Sequence, residues 1–290
     1  METFIELVYL LSAVLFVVGL KRLQSPATAR GGNALASLAM LLAIVATVID
    51  TEILTWSGIL VGVAIGGLVG GIAARRVEMT DMPQLVGIFN GFGGGASALV
   101  AIAEFTANPT IGMGTTGVTI MIGTLIGAVT FTGSFVAFAK LQGLMTGNPI
   151  TFPGPNPFNL VIFLGVLFLA TASLGVGLTA DPLLLFAVFL GTALLLGILI
   201  VIPIGGADMP VVISLLNSYS GLAASAAGFV IGNMVLIISG ALVGASGLIL
   251  TQLMCKGMNR SLANIALGGL GERAGVDRAK IGQRQVKKAD

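Results

Sequence analysis

The sequence contains no histidine, one cysteine, one tryptophan and two tyrosines, and only 9% of its 290 residues are charged. Each scarcity excludes something. Without histidine, the chain cannot build a Ser–His or Cys–His nucleophile, an imidazole metal ligand or the usual near-neutral proton carrier. The single cysteine, Cys255, excludes an intramolecular disulfide and leaves the redox compartment undecided. A soluble globular chain carries about 25% charged residues. A composition 56% hydrophobic with a mean hydropathy of +1.05 belongs in a bilayer instead. Net charge is +2 and no basic patch with interleaved aromatics occurs, so nucleic acid is not an expected partner.

What the chain has is long apolar runs. About 20 apolar residues cross the hydrocarbon core. Nine runs qualify, at roughly 4–20, 34–49, 56–74, 84–105, 117–139, 158–176, 183–204, 210–227 and 230–254. The last two are expected to be separated by a tight turn near Gly228-Phe229. The leader Met1-Glu2-Thr3 is acidic, and Lys21-Arg22 follow the first run, so that run reads as a retained span and not a cleaved signal. Lys21, Arg22 and Arg30 fall in the first connection, Arg75 and Arg76 in the third, and Lys140 at the start of the fifth. Eight more basic residues, Lys256 to Lys288, follow the ninth run. Nine spans therefore place all fourteen basic residues on one side, which the positive-inside rule makes cytoplasmic.

The expected architecture is an all-α membrane protein, a bundle of nine transmembrane helices with its N-terminus outside and its C-terminus cytoplasmic. Residues 1–255 form the transmembrane domain and 256–290 a basic tail of net charge +5, suited to anionic headgroups. Pro149, Pro153, Pro155 and Pro157 mark an irregular connection over 145–157. Glycines spaced by four, as in Gly62, Gly66 and Gly70 or Gly240 and Gly244, read first as close helix packing. None follows a strand pattern, so a phosphate-binding loop is not supported.

The few polar residues within the apolar runs are patterned. Asp81, Met82, Pro83 and Asn90 recur as Asp208, Met209, Pro210 and Asn217, a constant offset of 127 positions. Asp followed by Pro suits a helix start, where a carboxylate can accept free N–H groups and proline has no hydrogen bond to lose. Capping and a transport role are compatible for both aspartates. Asn217 falls seven residues after Pro210, about 10 Å along a helix, where an unsatisfied amide is costly. Pro210, Ser214, Asn217, Gly221 and Ser225 share one helical face, as do Pro83, Gly87, Asn90, Gly94 and Ser97. Gly123, Gly127, Thr130 and Ser134 form a third such stripe. Each stripe is consistent with interhelical hydrogen-bond glue, and the three together with a narrow hydrated path. Glu6 and Glu104 lie near the outer ends of their runs, and Asp50, Glu52 and Asp181 in outer connections. A path here must use water and neutral hydrogen bonders or a titratable group from another chain.

Gly205-Gly206-Ala207-Asp208-Met209-Pro210 with Asn217-Ser218-Tyr219-Ser220-Gly221, Val77-Glu78-Met79-Thr80-Asp81-Met82-Pro83, Phe131-Thr132-Gly133-Ser134, and Met254-Cys255-Lys256-Gly257-Met258-Asn259-Arg260-Ser261 resemble the beta subunit of proton-translocating NAD(P) transhydrogenase. The resemblance covers nearly all nine membrane segments. It implies a membrane domain coupled to hydride transfer from NADH to NADP⁺ by inward proton flow, in a bacterial inner membrane. Asn90, Ser134 and Asn217 map onto the implied proton path, and Ser214 and Thr130, from the stripes above, are expected to line it as well. Asp208 maps onto a position near the cytoplasmic mouth, where Asp81 and Arg260 are also expected. Implied partners are alpha-type subunits carrying an NAD(H)-binding domain and further membrane helices, and an NADP(H)-binding domain of the full beta subunit. A homodimer of complexes is also implied. Asn90 stands where well-known members carry a histidine, so the protonatable side chain is expected from an alpha-subunit helix. Family members continue into the NADP(H) domain, and this sequence reaches only Asp290. No nucleotide site or catalytic hydride-transfer residue is expected within it. A secondary transporter of a small solute, suggested by the repeat, and a passive membrane scaffold are the rival readings.

Overall fold

In hydrocarbon a backbone must satisfy its own hydrogen bonds, and a chain of apolar runs without closed strand pairing does so as helices. The computed structural model, which describes residues 2–50, 56–150, 155–177, 180–262 and 265, has this form, with no strand among the described residues. Its helices are α1 (Glu2–Leu23), α2 (Pro26–Asp50), α3 (Trp56–Arg76), α4 (Met82–Ala107), α5 (Thr115–Leu141), α6 (Pro155–Ser173), α7 (Pro182–Val201), α8 (Met209–Ile231) and α9 (Met234–Gly257). Eight are long and apolar enough to cross a membrane. The apolar part of α6, Pro157–Ser173, is shorter. The expected tail at 256–290 is described only as far as 262, with 265, and part of the 145–157 connection also lies outside the described residues.

Two expectations are corrected. The α8–α9 turn lies at Gly232-Asn233, not at Gly228-Phe229. Gly232 adopts φ 69, a left-handed conformation that suits glycine, and the Asn233 side chain accepts from the Leu236 N–H at 3.0 Å to start α9. Gly228 instead stays helical and packs against α9; an added Cβ there would sit 2.7 Å from the Ile237 nitrogen. Lys140, expected at the start of a connection, lies in the last turn of α5 and is only 4% exposed.

Helix α5 is central, packing against α4, α7 and α8. Helix α6 covers α7, α9 covers α8, and the α1–α2 hairpin rests beside α9. The hairpin is close enough for the buried Ser12 hydroxyl to donate to the Ala39 carbonyl at 2.6 Å. One apolar cluster includes Phe105 stacked on Phe186 at 4.2 Å and reaches Val129 on α5. A second begins at Val136 and includes Val201, Met209, Val212 and Cys255. Thr130 and Ser134 fall in the interval of α5 between them. Helix α3 has no buried residue.

The sequence repeat is also a backbone repeat. A 3₁₀ turn precedes α4 and α8, the two helices that open with Met-Pro, at Met79–Asp81 and Gly206–Asp208, and Asp81 and Asp208 have nearly the same dihedrals (φ −97, ψ 2 and φ −94, ψ −3). Neither carboxylate makes a side-chain capping hydrogen bond. Both are engaged otherwise.

Candidate functional site: a polar triad where α4, α5 and α8 meet

Helix α4 brings Asn90 to the α5 interface because glycines flank it on that face. An added Cβ at Gly94 would meet Thr130 Cβ at 2.8 Å, and one at Gly91 would meet Ser134 Cβ at 3.2 Å. At that separation the Asn90 amide donates to the Ser134 hydroxyl at 2.9 Å, with Ser134 fully buried and Asn90 8% exposed. Helix α8 completes the group: the Ser220 hydroxyl donates to Asn90 Oδ1 at 2.8 Å and approaches the Asn90 carbonyl at 3.3 Å. Three helices thus meet at one amide. Near it, the fully buried Thr130 Oγ1 has no hydrogen-bond partner among the described residues, and neither has Thr124 Oγ1 further along α5. None of these side chains titrates near neutrality. The group can order water and pass hydrogen bonds by hydroxyl rotation, but it cannot store a proton.

The structure brings together Asn90, Ser134 and, one turn away on α5, Thr130. It does not bring Asn217 to them. The expectation that the three stripes enclose one path, with Asn217 beside Asn90 on it, is corrected: Asn217 is exposed on the outside of α8, and the α8 residue at the junction is Ser220. The rest of the α8 stripe turns to α9. Thr251 donates to Ser214 at 3.0 Å, Ser225 donates to the Ile237 carbonyl at 3.1 Å, and an added Cβ at Gly221 would lie 2.5 Å from the Gly244 nitrogen. For Ser214 and Ser225 the hydrogen-bond glue is what the structure contains. Sequence reasoning missed Ser220, and a signal was available. Ile213, Leu216, Ala223 and Ala227 share its side of α8 and are buried, so Ser220 is a lone hydroxyl on an apolar face.

At the end of the bundle where α8 begins, Arg260 Nε donates to Asp208 Oδ1 at 3.2 Å, and the Arg260 N–H bonds the Cys255 carbonyl at 2.8 Å. The segment after α9 is thereby fastened to the start of α8. Asp81 accepts from Gln84 Nε2 at 3.4 Å.

Comparison with known proteins adds to this geometry. Residues 5–290 match the family model described as NAD(P) transhydrogenase beta subunit. The chain belongs to that family. Two relatives from Rhodospirillum rubrum, each described as NAD(P) transhydrogenase subunit beta, are 45% identical over 293 aligned residues, covering 96% of this chain. The alignment takes in 61% of each relative, so this transhydrogenase beta chain spans about three fifths of their length. It is the membrane part of the beta subunit and an integral, multi-pass membrane protein.

Proposed function

We propose that this chain is the proton-translocating membrane component of NAD(P) transhydrogenase, coupling proton flow across the bilayer to hydride transfer from NADH to NADP⁺ in the complete enzyme. The observation that carries the reading is the Asn90–Ser134–Ser220 group, a largely buried polar junction of three helices inside a mostly apolar bundle. Family membership supplies the reaction. Polar groups at membrane depth are costly, which favours a functional reason for keeping them.

Water entering beside Asn90, Ser134, Ser220 and the unpartnered Thr130 hydroxyl would carry the proton. Asn217 faces away from this junction, so we place it against a neighbouring chain. Alpha-type subunits would cover that face of α8 and supply the titratable side chain that this histidine-free sequence lacks. NAD(H) and NADP(H) bind elsewhere in the complete enzyme, and no hydride moves in this chain. Asp208, Arg260 and Asp81 would form the cytoplasmic mouth, with the N-terminus outside, in a dimer of complexes in the bacterial inner membrane.

The test is Asn90→Leu in the complete enzyme reconstituted into vesicles. The proton-linked rate falls tenfold or more while NADP(H) binding stays within about twofold of wild type. A wild-type proton-linked rate would reject the reading and favour a passive scaffold. The 3₁₀–Asp-Met-Pro repeat favours a transporter as the second reading. Solute uptake by this chain in liposomes, without any partner, would establish that alternative.

A further inference from the structure

Lys140 takes no part in the proposed path, yet its burial calls for an explanation. A buried ammonium is costly unless its protons are hydrogen-bonded. Lys140 Nζ donates to the Ile202 carbonyl at 2.5 Å and to the Ile204 carbonyl at 2.7 Å. Both acceptors lie just past the end of α7, where helix carbonyls lose their internal partners and the helix dipole favours a cation. The side chain therefore crosses from the last turn of α5 to hold the α7–α8 connection by its main chain. Backbone contacts strengthen the same attachment. The Gly206 N–H donates to the Gly147 carbonyl at 2.7 Å, and the Ile150 N–H to the Ile202 carbonyl at 3.4 Å. Two residues beyond Gly206, Asp208 holds Arg260.

We propose that Lys140 is a positioning residue that fastens the α7–α8 connection to α5, so that the Asn90–Ser134–Ser220 junction and the Asp208–Arg260 pair move together. Ser134 and Lys140 lie six residues apart on one helix, about 9 Å along its axis. Val136, Ala137, Val201, Ile204, Met209 and Val212 pack the space around the attachment. A shift of α5 at the junction is passed through Lys140 to the connection that carries Asp208. This inference rests on the proposed proton path and adds the element that links it to the mouth.

The test uses the complete enzyme in proteoliposomes with Lys140→Met, which removes both hydrogen bonds at similar side-chain length, and Lys140→Gln, which keeps an N–H donor without charge. Two quantities are read: the ratio of hydride-transfer rates with and without an imposed proton gradient, and hydrogen exchange in the 202–208 segment. In K140M the gradient response falls tenfold or more, and 202–208 exchanges at least tenfold faster. The gradient-free rate and exchange within α8 stay within about twofold of wild type. K140Q falls between K140M and wild type in both readouts, and decides the matter in the same direction if K140M does not assemble. A gradient response kept within twofold overturns the proposal. So does a proportional loss of both rates, which a purely structural cap would give. Asn90→Leu is measured alongside: if it keeps its gradient response the path itself fails, and if it alone loses the response only the role of Lys140 fails.

Discussion

An amide in hydrocarbon is tolerated where its donors and acceptors are occupied, and the two asparagines of the repeat meet that condition differently. Asn90 is bonded to two serines on two other helices, whereas Asn217 is exposed on the surface of α8. Ser220→Ala removes the hydroxyl that serves Asn90 Oδ1. Such pairs are worth about 0.6 kcal/mol on average in membrane proteins, so the melting temperature in detergent changes little while the proton-linked rate drops several-fold. An unchanged rate would remove Ser220 from the path. Asn217→Leu leaves the stability of the isolated chain within about 0.5 kcal/mol, as for most surface changes. It slows the complete enzyme if, as we propose, the face it alters is covered by another chain. Asn90 and Ser134 were legible as polar residues on glycine-rich faces. Ser220 left only the weaker signal of a lone hydroxyl on an apolar face, and the true direction of Asn217 left none, because residue spacing fixes the angle between side chains on one helix but not that helix's rotation against its neighbours.

At the scale of the element, the glycine stripes divide into those in use and those free in this chain. On the α8–α9 seam an added Cβ at Gly221 would lie 2.5 Å from the Gly244 nitrogen and 2.8 Å from the Gly240 oxygen, both backbone atoms. Gly221→Val therefore costs about 3 kcal/mol or more, since the clash cannot be relieved by turning a side chain. On α3 an added Cβ at Gly62 meets nothing within 4 Å, and Gly62→Val leaves the detergent melting temperature of this chain within a degree or two of wild type. Equal melting temperatures for the two variants would refute the packing account of α8 and α9. The spacing of four is equally plain in the sequences of α3 and α9. Which stripe meets a partner depends on where the helix is placed, and the stripes themselves are alike in sequence.

Across the whole molecule, helix alternation puts the basic residues at the ends of α1, α3, α5 and α9 on the side where α8 begins, which we propose is cytoplasmic. Cysteines placed at Met113 and Leu144, which are 60% and 72% exposed on opposite sides of α5, test this against a background in which Cys255 is buried. An impermeant maleimide labels the residue-113 cysteine in intact cells and the residue-144 cysteine only in inverted vesicles. The reverse pattern would invert the topology.

The sequence by itself determined that this is a bundle of membrane helices, roughly where each begins and ends, and which duplicated residues open α4 and α8. Those properties follow from local hydropathy and from backbone groups that must pair within their own segment. Only the tertiary structure decided that Ser220 and not Asn217 meets Asn90, that Ser214 and Ser225 serve the α9 seam, and that Lys140 reaches inward to the α7–α8 connection. These are matters of helix rotation and depth, set by how glycine faces and apolar side chains interlock between segments far apart in the chain.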